Sequence, residues 1–251
     1  MNLGEELINA ISPHNLFNIN IFGLSIPVTD TVMTTWLIMA FLIIAAVALT
    51  RNMKLIPAGK QNLTEWVVEF INNFIKSNIG HHWEHFSAYL GTVLIFLLFA
   101  NVISIFNIIP SAEELYKLTH LSIFEKMPSY SIRPPTRDIN VTACLALMSI
   151  ILTLFSGIVI KRPKAWLKSF AEPVPIIAPF KVLDYFIRPT SLCFRLFGNI
   201  LGAFIIMELI IIVMPAIFPA ALSIYFDLFD GALQAYVFVF LTSIYIAEAI
   251  E

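Results

Sequence analysis

The run PTSLCFRLFGNILGAFIIMELIIIVM, Pro189 to Met214, decides how this chain is read. It is long and apolar enough to lie in a bilayer, yet it carries Arg195 near its middle and Glu208 further on. Moving a permanent positive charge to the bilayer centre costs about 2.5–3.5 kcal/mol on insertion scales. Arginine cannot escape that cost by losing its proton, because its pKa lies above about 12. A guanidinium kept at this depth needs a partner, and the partner is the functional question.

Composition agrees with a membrane setting. Of the 251 residues, 59% are hydrophobic and 13% charged, against about 25% charged in soluble domains. Mean hydropathy is +0.84. The reading is an all-α, polytopic membrane protein. A net charge of −2 and a pI of about 6.2 give no reason to expect nucleic acid as a partner. Cys144 and Cys193 lie in separate apolar runs and form no CxxC pair, so they read as small buried hydrophobes, neither disulfide nor metal ligands. Residues 1–12 hold Glu5 and Glu6 and no basic residue, which is not the pattern of a signal peptide.

Taken outward from the deciding run, the chain divides into an external N-terminal segment, residues 1–30, with room for an interfacial helix, and a single membrane domain, residues 31–251. The uncharged stretch 31–50 spans the roughly 30 Å hydrocarbon core at 1.5 Å per residue. Residues 61–78 place Leu63, Trp66, Val67, Phe70, Ile71, Phe74 and Ile75 at helical spacing opposite Glu65, Glu69, Asn72 and Lys76. That pattern suits an amphipathic helix at the cytoplasmic surface. The cluster His81-His82-Trp83-Glu84-His85 reads as a membrane boundary and not as a metal site. Further spans are expected over 86–109, 139–160, 180–214 and 220–248, with residues 111–138 as an aqueous loop. The last two spans exceed the length a perpendicular crossing needs and are expected to tilt. Segments 51–85 and 161–172 carry four Lys/Arg each, against four in 111–138. The positive-inside rule then puts the N-terminus outside and the C-terminus in the cytoplasm.

At 100° per residue, Lys181, Asp184, Arg188, Ser191, Arg195 and Asn199 share one helix face, and Ser223, Asp227, Asp230, Gln234, Tyr245 and Glu248 share another. Bland readings cover several of these. Lys181, Asp184 and Arg188 lie where snorkelling would serve them. Glu248 reads as part of a solvated C-terminus and Tyr245 as packing. Asn199 and Gln234 could be interhelical glue. Arg195, with Asp227 and Glu208, sits too deep for those explanations and reads as functional.

The motifs Arg195-Leu-Phe-Gly-Asn199, Gln234-Ala-Tyr-Val-Phe-Val-Phe-Leu-Thr-Ser-Ile-Tyr245, Pro134-Pro-Thr-Arg-Asp138-Ile-Asn-Val-Thr142 and Glu172-Pro-Val-Pro-Ile-Ile-Ala-Pro-Phe180 resemble subunit a of the F-type rotary ATP synthase. The likeness runs from about Asp30 to the end and is strongest from 172 onward. It implies five transmembrane helices, the last two a tilted hairpin against a ring of c subunits. It also implies two offset half-channels that carry protons or Na+ to and from the ring carboxylates. The b subunits of a peripheral stalk and membrane lipid would be further partners, and a bacterial plasma membrane the location. The chain would be an ion-translocating subunit with no catalytic centre, cofactor or metal of its own.

By this resemblance Arg195 matches the stator arginine, and an opposite charge within about 4–6 Å would lower the pKa of a ring carboxylate. Gln234 matches the glutamine facing that arginine, and Asn199 lies one turn from it. Asp227 falls in the external half-channel and Asp184 in the cytoplasmic one. Many members carry a carboxylate nine residues after the arginine, where this chain has Phe204; Glu208 and Asp230 are the expected substitutes. An independent ion-coupled transporter is the main competing class, but it would show repeated halves. An intramembrane enzyme would show a nucleophile with its base, or a metal-ligand set. Neither pattern is present in the spans.

Overall fold

A computed structural model describes residues 15–21, 24–51, 53–56, 59–103, 134–171, 176, 178–213, 222 and 224–251. Two strands, β1 (Asn15–Ile21) and β2 (Leu24–Thr29), pair antiparallel, with Phe17 opposite Val28 and Ile19 opposite Ile26. The described part of the segment read as external is thus strand, while residues 1–14, where an interfacial helix had room, lie outside the described residues. Asn and apolar residues alternate through Asn18-Ile19-Asn20-Ile21, a period of two that a strand uses and a helix cannot. β-structure enters only in this hairpin among the described residues.

Helix α1 (Asp30–Thr50) begins where the Thr29 hydroxyl accepts the Val32 N–H, 3.4 Å away. Helix α2 (Lys60–Ile79) covers the amphipathic stretch. A 3-10 turn, Gly80–His82, opens with Gly80 at φ +74°, a conformation glycine adopts without strain. It reverses the chain into α3 (Trp83–Val102). The reversal is a fold-back: Ser87 donates to Asn72, and Lys76 lies over the Trp83 ring. The apolar face of α2 is therefore shared. Ile71, Ile75 and Ile79 are buried against the protein, while Leu63, Trp66 and Phe70 face outward.

A 3-10 turn, Pro135–Arg137, leads into α4 (Ile139–Lys161), which Asp138 caps by accepting the Asn140 N–H, 2.9 Å away. Arg162, at φ +67°, stands before Pro163 and separates α4 from the short α5 (Pro163–Ala171). Helix α6 (Ala178–Val213) continues through Pro189. A π-helical segment, Ile224–Asp230, then runs directly into α7 (Gly231–Ile250). The expected loop over 111–138 and the end of the second span lie mostly outside the described residues, as does the turn around 214–221.

Five stretches among the described residues are long and apolar enough to cross a membrane: Asp30–Thr50, Lys60–Val102, Ile139–Lys161, Ala178–Met207 and Ile224–Ile250. Helix α7 sits at the centre, packed on α3 and α4, while α6 packs chiefly on α4. The core holds Ile75, Leu90, Leu97, Leu196, Phe238, Val239 and Ile246. Along α4 and α7, which pack on each other, many buried residues are small: Ala146, Ser149, Thr153, Ser156, Ala235, Thr242 and Ser243. Ser149 and Thr242 share a hydrogen bond of 2.9 Å. Membrane helices approach closely this way, because lipid removes the hydrophobic reward for large side chains.

Candidate functional site

Helices α6 and α7 form a long antiparallel hairpin yet touch each other at few points. Polar ties join them at two levels among the described residues. Near one end Asn199 Nδ2 donates to Asp230 Oδ2, 2.7 Å away. Toward the other, Arg188 pairs with Glu248 at 2.6 Å and with Asp184 at 3.0 Å, and its guanidinium lies 4.7 Å from the centre of the Tyr245 ring.

The first tie fixes a level. Arg195 is four residues before Asn199 on α6, and Gln234 four after Asp230 on α7. Each step is one turn, about 6 Å, and in an antiparallel pair both run the same way. Arg195 and Gln234 therefore stand at one height. Their surroundings differ. Arg195 is exposed on the outer face of α6, amid exposed Phe194, Ile187 and Ile206. Gln234 is 3% exposed, against α3 and α4, and its Nε2 finds no hydrogen-bond partner among the described residues. Arg195 makes no hydrogen bond or ion pair with the described residues either. A charge and an amide in these positions call for a partner from outside that set.

Asp227 and Asp230 are half-buried and belong to the π-helical segment. This shifts the face calculated at 100° per residue, because a turn bonded i→i+5 is wider than an α turn. The structure joins Asp230 to Asn199 and sets Arg195 and Gln234 one turn beyond them at one height, on differently exposed faces, with Asp227 three residues upstream of Asp230. Asp184 is not in this group: it lies eleven residues before Arg195, about 16 Å along α6. Glu208 belongs to the backbone of α6, but its side chain lies outside the described residues.

Phe204 has a definite role in packing. The Arg137 guanidinium lies 3.5 Å over its ring, a cation–π contact that ties the lead-in of α4 to α6.

Around Asp184 the structure adds residues that sequence reasoning set aside. A cavity of about 250 Å³ is lined by Lys161, Lys181, Asp184, Tyr185, Arg188 and Glu248. Glu248 is not simply a solvated terminus and Tyr245 not simply packing, since both meet Arg188. The signal was present in the sequence, as Arg188 shares a face with Asp184 and Glu248 shares one with Gln234. Asn101 and Thr136 gave no such signal. Both are buried, and the Thr136 hydroxyl donates to Asn101 Oδ1 at 2.8 Å. Among the described residues no three His, Cys, Asp or Glu side chains gather to hold a metal.

Comparison with known proteins bears on this arrangement. The sequence model of a family described as ATP synthase A chain matches residues 32–247. The chain is also 33% identical over 224 residues to the protein named "ATP synthase subunit a, sodium ion specific" from Propionigenium modestum, an alignment covering 89% of this chain and 75% of that protein.

Proposed function

Because the chain belongs to the ATP synthase A chain family, we propose that it is the stator a subunit of a rotary F-type ATP synthase, carrying ions to and from the carboxylates of a c-ring. The observation that carries this reading is Arg195: a permanent charge on the outer, apolar face of α6, with no partner among the described residues of its own chain. A ring carboxylate passing that face would be drawn to it and would give up its ion, since a nearby cation favours the charged form. Once the carboxylate turned into apolar surroundings, its affinity for a proton would rise again. The fixed charge would also stop ions passing straight from one half-channel to the other.

In this mechanism Gln234 orients the Arg195 side chain or shares its hydrogen bonds. Asn199, Asp230 and Asp227 line the external half-channel, with Glu208 further along α6. Asp184 and the cavity around Arg188 and Glu248 form the cytoplasmic one. The subunit performs no chemistry on ATP; it couples ion flow to rotation. The transported ion is a proton or Na+. The sodium specificity of the Propionigenium modestum protein makes Na+ the first ion to assay. The b subunits of the peripheral stalk hold the chain against the ring, in a bacterial plasma membrane.

Purification of the tagged chain in mild detergent tests the reading. Recovery of a c-type ring partner, with no ion movement by the chain reconstituted alone, is the expected result. Ion transport by the isolated chain would overturn it in favour of an independent transporter.

A further inference from the structure

The three residues Thr136, Arg137 and Asp138 each fasten a different helix. The Thr136 hydroxyl donates to Asn101 Oδ1 near the end of α3, 2.8 Å away. Arg137 covers the Phe204 ring of α6 at 3.5 Å. Asp138 caps α4 and accepts the Thr31 hydroxyl of α1, at 2.9 Å. The fifth helix of the bundle is reached through Asn101. With Oδ1 engaged by a donor, its Nδ2 is aimed the other way, and it donates to the Gly231 carbonyl at 2.9 Å.

Gly231 is the joint at which the π-helical segment returns to α-helix. The joint is tight: a Cβ at Gly231 would lie 3.0 Å from the Asn101 Cβ, so any larger residue would require Asn101 to shift by a few tenths of an ångström. Wide i→i+5 turns are rare and are frequently found at functional sites. This one carries Asp227 and Asp230, and Asp230 is held to Asn199, one turn from Arg195. The position of both carboxylates therefore depends on where the wide turn ends, and a buried side-chain hydrogen bond fixes that point.

We propose that Asn101, oriented by Thr136, is a positioning residue that sets the register of the π-helical turn and so places Asp227 and Asp230 for ion loading. The inference rests on the stator reading. Asn101 touches no transported ion in this account; it acts through Gly231.

The test uses the purified whole complex in proteoliposomes. ATP synthesis is measured against the concentration of the ion, proton or Na+, that drives the native complex. Asn101→Leu removes the hydrogen bonds to Thr136 and Gly231 at similar volume, and is expected to raise the half-saturating ion concentration about tenfold while the maximal rate stays within about twofold. Thr136→Val keeps the shape but frees the amide to turn over, and about a threefold rise is expected. An unchanged half-saturating concentration in both variants would overturn the proposal. So would a fall in maximal rate alone, which a merely structural role would give. If Asn101→Leu does not assemble, Thr136→Val decides by the same two criteria. Arg195→Ala is run beside them. Normal synthesis with Arg195→Ala removes the stator reading itself, whereas its loss together with unshifted Asn101 and Thr136 variants removes only the positioning role.

Discussion

At the scale of single residues, what matters is whether a polar group finds a partner inside its own chain. Asn199 and Asp230 do, at 2.7 Å, and a hydrogen bond to a charged acceptor is worth about 1.5–3 kcal/mol. Asp230→Asn weakens that tie and places two amides face to face. Ion-driven ATP synthesis is expected to fall severalfold in this variant, at unchanged amounts of assembled complex; unaltered synthesis would show that the tie is dispensable. The Arg188–Glu248 pair belongs to a different class. Glu248 is half exposed, and exposed ion pairs contribute about 0–1 kcal/mol. Glu248→Gln should therefore shift the melting temperature of the detergent-solubilised complex little. Arg195 stood out in the sequence because a charge inside an apolar run is rare and expensive. Asn101 did not, because a neutral amide in such a run carries no comparable cost, and its partners Thr136 and Gly231 lie 35 and 130 positions away.

At the scale of elements, hydrophobic runs and their flanking charges largely set the ends of the helices. The run bounded by Asp30 and Arg51 folds as Asp30–Thr50, and that before Lys161 as Ile139–Lys161. Two features escaped, for separate reasons. The β-hairpin is announced only by a short alternation, which a search for long apolar segments passes over. The π-helical segment has no periodicity of its own, since its register follows from a buried contact with another helix. Packing between α4 and α7 adds an element-scale prediction. A Cβ at Gly157 would come 2.8 Å from the Trp166 ring and 3.2 Å from the Ala249 carbonyl. Gly157→Leu should therefore force α4, α5 and α7 apart at a cost of about 1–3 kcal/mol, seen as a lower melting temperature. Gly198→Leu, where a Cβ meets no neighbour within 4 Å, is the matched control and should leave the temperature nearly unchanged.

At the scale of the whole molecule, the chain has few buried surfaces for its length and wide apolar ones. Helix α1 exposes Leu37, Phe41, Ile43 and Ile44, and α6 exposes Phe180, Leu183, Phe186 and Phe194. Lipid satisfies the first set. The exposed surface of α6 also holds Arg195, which lipid does not satisfy and which a ring carboxylate, as proposed, would. The proposed orientation, N-terminus outside and C-terminus in the cytoplasm, rests on the basic residues flanking the spans. With Cys144 and Cys193 replaced, a membrane-impermeant maleimide added to intact cells should label Ser25→Cys and spare Lys164→Cys; the reverse pattern would invert the assignment of the half-channels. The general outline of the molecule could be read from charge and hydropathy. Which residues join α6 to α7 could not, because those contacts depend on how the two consecutive helices pack on α4, and α7 on α3 as well.

The central claim is that Arg195 acts on a carboxylate of another chain. ATP-driven ion uptake by inverted membrane vesicles, native against Arg195→Ala, tests it most directly, with proton and Na+ uptake followed in parallel and assembly verified. Uptake is expected to be abolished while the complex remains assembled, and the native signal identifies the ion. Uptake at the native rate in Arg195→Ala would contradict that claim.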